Sequence, residues 1–323
     1  MKGEWFLGKV VVTGCAGFIG SNLVDFLLKN GNSVIGIDNL KTGHLKFLEK
    51  ASLDKNFIFH NHDLFEYQYL SELIKGCDVI FHLAANADVR YGGQAPRRDL
   101  EQNTIVTHNV LEAARNAGIT NFVFSSTGSI YGESKIIPTP EESPFPIQTS
   151  LYGASKLACE GLIQAYSETF GLHVWIFRFV SILGPRYSHG HVYDFYNQLR
   201  RDPSRLKVLG NGQQTKSYLH VHDCLEGIKL AMQKSKENVN IFNLGIDGTC
   251  KISESINWIT EYLNLNPKIE YGLEDRGWIG DNPLIYLETK KIRSLGWTPE
   301  YSIKESVTDT VKYLQENSWL QHD

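Results

Sequence analysis

Tyr152 and Lys156 stand four residues apart in the stretch Tyr152-Gly153-Ala154-Ser155-Lys156. On a helix that spacing puts both side chains on one face. An ammonium beside a phenol favours the phenolate and pulls its pKa below the free value of about 10. A tyrosine in that setting can remove a proton from an alcohol near neutral pH, so the pair is a candidate for alcohol oxidation. The same pattern also describes a surface tyrosine beside a solvated lysine, and context has to decide. Ser125-Ser126-Thr127 brings a cluster of hydroxyls one element earlier.

The oxidation needs a hydride acceptor, and the N-terminal region holds a candidate site for one. Thr13-Gly14-Cys15-Ala16-Gly17-Phe18-Ile19-Gly20 follows the apolar run Val10-Val11-Val12 and opens a helical pattern. Glycines at this spacing allow a tight turn, a close approach of backbone N–H groups to a pyrophosphate and close helix–sheet packing. The helix N-terminus then stabilises the diphosphate charge. Asp38 ends the next apolar run, 18 residues after Gly20, where a carboxylate accepts hydrogen bonds from a ribose diol and repels a 2′-phosphate. Neither Asn39 nor Leu40 adds a countercharge, so NAD is favoured over NADP. Read blandly, the glycines are an ordinary tight turn and Asp38 a solvated loop acid. Asp63-Leu64 can meet the adenine or cap a helix.

These residues need an α/β frame to hold them. Strand patterns fall at Val10–Val12, Ser33–Ile37, Asn56–His60, Val79–Leu83, Phe122–Ser125 and Val174–Phe179. Helical patterns fall between them at Phe18–Lys29, Tyr69–Lys75, Asn103–Ala117 and Ser155–Phe170. That alternation predicts a doubly wound parallel sheet covered by helices on both faces. After about Gly184 the loops lengthen, and helices are predicted at Val192–Arg201, Val221–Gln233, Ser253–Leu263 and Ile303–Glu316. The expected division is a dinucleotide-binding domain over 1–183 and a smaller α/β substrate lobe over 184–323. Tyr218–Val221 and Asn240–Leu244 are expected to cross back to the first domain.

With 323 residues, 42% apolar and 21% charged, the chain can bury a substantial core. A net charge of −4 gives no basic excess for nucleic acid or an anionic membrane. Cys15, Cys77, Cys159, Cys224 and Cys250 are scattered without metal-ligand spacing and read as reduced thiols of a cytoplasmic protein. The N-terminus does not read as a signal peptide, and no apolar run reaches the ~18 residues of a membrane span. His189 and His191 form an H-x-H, but no acidic or cysteine ligands cluster beside it, so no metal is expected. Tyr187 and Tyr193 can stack on a base or pack as core.

The glycine turn, the ribose acid, Ser125-Ser126-Thr127 and the Tyr152/Lys156 pair occur in this order over nearly the whole chain. In that order and spacing the chain resembles the extended short-chain dehydrogenase/reductase family, in its branch of NAD-dependent nucleotide-sugar epimerases and dehydratases. His82-Leu83-Ala84-Ala85, Asp38 through Gly43, Pro140-Glu141-Glu142, Arg178 through Arg186 and Leu295-Gly296-Trp297-Thr298-Pro299 carry the likeness further. The resemblance implies a Rossmann-type fold, bound NAD and a nucleotide-diphosphate sugar as substrate. It implies that Thr127, Tyr152 and Lys156 are catalytic. It implies NAD contacts at Gly14, Gly17, Phe18, Ile19, Gly20, Asp38, Asn39, Asp63, Leu64, Leu83, Ala84 and Ala85, with Tyr152 and Lys156. Substrate contacts are implied at Arg90, Thr127, Ser129, Tyr152, Arg186, Lys216 and Arg276. Lys216 stands where the family commonly has arginine, keeping the charge without the bidentate fork. A homodimer through the Asn103–Ala117 and Ser155–Phe170 helices is implied too, with Ile163, Tyr166 and Phe170 as an apolar stripe that serves equally as core.

Within that resemblance the subclass follows from missing groups. Dehydratases of the branch follow the threonine with an Asp-Glu pair, and its sugar-acid decarboxylases place glutamate where Ser129 stands. Here the chain reads Thr127-Gly128-Ser129. Cys159 and Cys224 lie outside the positions that extra C3/C5 epimerisation would use. The expectation is a 4-epimerase of a UDP-hexose, such as UDP-glucose/UDP-galactose or their N-acetyl forms, working through a 4-keto sugar. A dehydrogenase or reductase with a dissociating cosubstrate, and a non-catalytic NAD-binding protein, remain as rivals.

Overall fold

Seven parallel strands build the central sheet of the computed structural model, which describes residues 5, 7–86, 92–144, 147–278 and 280–320. From one edge they run Val239–Leu244, His173–Phe179 (the sixth in chain order), Asn121–Thr127 (the fifth), Val79–His82 (the fourth), Lys9–Thr13 (the first), Ser33–Asp38 (the second) and Phe57–Asn61 (the third). Their apolar composition follows from having both faces covered. Val10, Val12, Phe81 and Phe177 lie in one core, while Val11, Ile80, Phe124 and Ile176 lie in the other. Alternate residues of one strand thus serve opposite faces.

The helices covering these faces form largely where the sequence pattern puts them. Phe18–Lys29 matches its expected bounds, whereas Leu151–Phe170 starts four residues earlier than expected because Ser150 caps it, accepting from the Gly153 N–H at 3.0 Å. A turn of π-helix over Leu100–Ile105 leads into Val106–Ala117. Val239–Leu244 does return to the main sheet. Tyr218–His220 pairs with Ser181–Leu183, the last residues of the expected first domain, in a separate two-stranded sheet.

The C-terminal lobe carries two further small sheets. One joins Cys250–Lys251, Thr215–Lys216 and Leu284–Ile285; the other joins Lys268–Tyr271 and Arg205–Val208. Helices His191–Arg201, Ile252–Leu263 and Ile303–Glu316 pack on one another, the last opened by a Ser302/Glu305 capping box. None of the helices is long and apolar enough to cross a membrane among the described residues.

Ile163 on Leu151–Phe170 is fully buried in the intramolecular core, so it is not part of a free apolar stripe; Phe170 on the same helix is 48% exposed. Ile163→Ala should lower unfolding free energy in urea by about 2–5 kcal/mol, independent of protein concentration. A loss under about 1 kcal/mol, or one that appears only on dilution, would contradict the core placement.

Candidate active site

Sheet order reverses between the Lys9–Thr13 and Val79–His82 strands, and a crevice opens beyond their C-terminal ends. It widens into a cavity of about 1390 Å³ running from the glycine turn to the C-terminal lobe. That exceeds the ~300–1,000 Å³ of common single-ligand pockets, leaving room for a dinucleotide and a second nucleotide.

The cofactor end is shaped by backbone. Gly14 has a φ of +70°, and a Cβ on it would stand 2.7 Å from the Ala84 nitrogen. A Cβ on Gly20 would fall 2.1 Å from the Gly14 carbonyl oxygen, so only glycine lets the first helix start this close to the turn. Gly14, Gly17, Phe18, Ile19, Gly20, Asp38, Asn39, Asp63, Leu64, Leu83, Ala84 and Ala85 all line the cavity. Asp38 is buried; its carboxylate accepts from the Ala16 N–H at 3.0 Å and the Leu40 N–H at 2.8 Å, and burial raises its pKa. Asp63 caps a turn rather than a helix. It lines the cavity, accepts from the Phe65 N–H as a local cap at 3.0 Å, and pairs with Lys41 at 2.8 Å. A cradle without side chains at the turn and a carboxylate at the end of the second strand fit NAD, which Gly14, Gly17, Gly20 and Asp38 would hold.

Beneath this end lies an unanticipated contact. His82 is fully buried between the Thr13 hydroxyl (Nδ1 to Oγ1, 2.7 Å) and the Thr107 hydroxyl (Nε2 to Oγ1, 3.0 Å). Burial, aided by the Lys156 charge, pushes its pKa down to about 3, so it is neutral and ties the first and fourth strands to the helix beyond. Its legible signal was its place at the end of an otherwise apolar strand.

Thr127, Ser129 and Tyr152 meet at the middle of the cavity. The Thr127 hydroxyl lies 3.2 Å from the Ser129 hydroxyl, accepts from the Ser129 N–H at 3.1 Å and hydrogen-bonds the Tyr152 phenol. Lys156 is not a lining residue: it is buried behind them and donates from Nζ to the Ser125 carbonyl at 2.9 Å, with the Phe124 ring 4.6 Å away. Burial draws its pKa down to about 8.

These surroundings correct the expected electrostatics of the phenol. Burial pushes Tyr152 above its ordinary value; the Thr127 hydrogen bond opposes this, and Asp99 and Cys159 add to it. The Lys156 ammonium, turned to the strand carbonyl, does not by itself make the phenol basic. Asp99 belongs to a buried polar chain: Asn86 donates to it at 2.8 Å, Asn103 accepts from the Asn86 N–H at 2.8 Å, and Asn103 donates to Ser155 at 2.8 Å.

Lys216, Arg276 and Arg186, the described cations expected to meet substrate, each have a carboxylate partner. Lys216 lines the cavity with its Nζ 2.7 Å from Asp281. Arg276 donates to Glu133 at 2.5 Å and does not line the cavity, although Gly277 beside it does. Arg186 is also away from the lining: it reaches Asp25 on the first helix at 2.6 Å, with a backbone φ of 73°. Arg90 and Asp88 lie outside the described residues. His189 and His191 line the cavity; His191 is held by Ser255 at 2.9 Å and stays neutral, burial taking its pKa to about 3. Tyr187 lines the cavity, while Tyr193 is core and donates to the Leu320 carbonyl. No group of three or more candidate metal ligands occurs among the described residues. All five cysteines are buried and unbridged.

Comparison with known proteins places this geometry. The model of the NAD dependent epimerase/dehydratase family matches residues 10–245. A putative UDP-glucose 4-epimerase of Methanocaldococcus jannaschii is 32% identical, over 96% of this chain and 99% of that protein. A crystal structure of a UDP-galactose 4-epimerase superposes with a TM-score of 0.87 at 35% identity, covering 96% of this chain and 100% of that one. The UDP-glucuronic acid 4-epimerase from Bacillus cereus, solved with UDP-glucuronic acid and NAD, gives 0.87 at 28% identity over 95% and 99%. With a glycine turn, ribose acid and Thr-Tyr-Lys set on a seven-stranded parallel sheet, the chain belongs to the NAD-dependent epimerase/dehydratase family and is an NAD-dependent enzyme of the extended short-chain dehydrogenase/reductase type.

Proposed function

We propose that the chain is a 4-epimerase acting on a UDP-hexose, such as UDP-glucose/UDP-galactose or their N-acetyl forms. The observation that carries this reading is the meeting of Thr127 and Tyr152 in one cavity with the glycine turn, while positions 128 and 129 hold glycine and serine. A Thr–Tyr–Lys set without an added carboxylate suits reversible alcohol oxidation and no elimination or decarboxylation. Tyr152 takes the proton of the C4 hydroxyl, and Thr127 hydrogen-bonds the same sugar oxygen. NAD⁺, when bound, would supply a reversible hydride acceptor for C4 and a positive ring that favours the phenolate. Tyr152 then returns the proton after the 4-keto sugar has turned over. Lys156, set behind the phenol and bound to the Ser125 carbonyl, would give a remaining donor of its ammonium to the nicotinamide ribose. Lys216 and Arg276 would exchange Asp281 and Glu133 for the substrate diphosphate, anchoring it through the turn. The homodimer expected for this reading would use the Val106–Ala117 and Leu151–Phe170 helices, and the buried thiols suit a reducing cytoplasm.

Incubation with a panel of UDP-hexoses, followed by NMR, should show the C4 epimer with no net NADH. Stoichiometric NADH release would instead mark a dehydrogenase. Tyr152→Phe should lower kcat by about 10²–10⁴-fold; full turnover by that variant would remove the mechanism. Because burial brings Lys156 to about 8, its charge is present at neutral pH and lost as pH rises through that value. The kcat/KM profile should therefore fall on an alkaline limb centred near pH 8, and a profile flat to pH 10 would contradict the role given to the ammonium.

A further inference from the structure

Glu160 lies one helical turn beyond Lys156 and is fully buried. It accepts from the Ser126 hydroxyl at 2.5 Å, one residue along the strand from the Ser125 carbonyl that Lys156 holds at 2.9 Å. The helix therefore grips two successive residues of the fifth strand, immediately before Thr127. From the sixth strand Arg178 reaches the same carboxylate through Nε at 3.1 and 3.2 Å and through Nη2 at 2.7 Å, and both partners are buried. Arg178 in turn donates to Tyr131 at 2.6 Å and to the Glu141 carbonyl at 2.8 Å. Buried charges of this kind persist only with excellent geometry and satisfied partners.

We propose that Glu160 is a positioning residue, which sets the register of the Tyr152/Lys156 helix against the Thr127 strand and is the anion shared by two buried cations, Lys156 and Arg178. The inference rests on the roles proposed above for Thr127, Tyr152 and Lys156. The groups around the Lys156 ammonium single out this carboxylate. On its own helix Tyr152 and Cys159 are held protonated by burial. His82 on the fourth strand is neutral, and Tyr131 after the fifth strand is pushed up to about 12 by burial. Arg178 on the sixth strand is bound to Glu160, and Asp99, before the π-turn, acts on the phenol. Cys159 and, after it, Glu160 favour the ammonium, and of the two only Glu160 is a carboxylate paired with a second buried cation, Arg178.

Two variants separate register from charge. Glu160→Gln keeps an acceptor for Ser126 and removes the charge; Ser126→Ala removes the pin and keeps the charge. Lys156 is followed by NMR titration of ¹³C-lysine-labelled full-length protein, assigned with Lys156→Met, and needs no sugar substrate. Glu160→Gln should move the Lys156 midpoint down by about one pH unit, and Ser126→Ala should leave it in place. On the epimerised UDP-hexose, Ser126→Ala should lower kcat roughly tenfold with KM within about twofold. An unmoved midpoint in Glu160→Gln overturns the charge role, and an unchanged kcat in Ser126→Ala overturns the register role. If Glu160→Gln does not fold, the Ser126→Ala kcat decides. If wild type epimerises nothing on the panel, the proposed function fails, while the titration still reads the Glu160–Lys156 coupling.

Discussion

A helix and a strand must meet at one height for Thr127 and Tyr152 to share a reacting oxygen, and the bond from Lys156 Nζ to the Ser125 carbonyl holds that height together with the adjacent bond from Ser126 to Glu160. It spends one donor of the ammonium on the backbone and takes the charge out of water. Tyr152, one turn nearer the helix start, then stands beside Thr127, two residues farther along the strand. Slippage by one residue would turn the strand's side chains to the opposite face and remove Thr127 from the phenol. The Ser150 cap and the π-turn at Leu100–Ile105, where Asn103 donates to Ser155, brace the same helix from its start and side.

Placing this chemistry inside the protein works against the ionised forms it uses. Burial raises Tyr152 and lowers Lys156, so neither phenolate nor ammonium is favoured by location alone. A preorganised polar environment has to restore them. Thr127 opposes the shift of the phenol, and Cys159 and Glu160 oppose that of the ammonium, without cancelling either. The far end follows a different logic. Lys216 and Arg276 are neutralised by Asp281 and Glu133, so a diphosphate arriving there would displace carboxylates rather than fill an uncompensated positive cleft.

Most of the frame was legible because it rests on local pattern. Apolar strands covered on both faces and a 3.6-residue helical period mark Lys9–Thr13, Phe18–Lys29 and Ile303–Glu316 without tertiary knowledge. The glycine turn was legible because only glycine permits the approach found between Gly20 and the Gly14 carbonyl. Missed features depend on long-range contacts. The Asp25 partner of Arg186 is far away in sequence. Spacing left Ile163 open as stripe or core, and the neighbouring strands set its place in the core. Glu160 and Arg178 become partners only when two elements lie side by side. Lys156 was found by its spacing from Tyr152, but its ammonium turned out to serve the strand.

In the proposed reaction the hydrogen at C4 leaves one face of the sugar and returns to the other within a single site. Turnover of a UDP-hexose deuterated at C4, in ordinary water, reads this directly. The 4-epimer should keep its deuterium at C4 through many turnovers. An epimer whose C4 deuterium has been replaced by solvent hydrogen would contradict it.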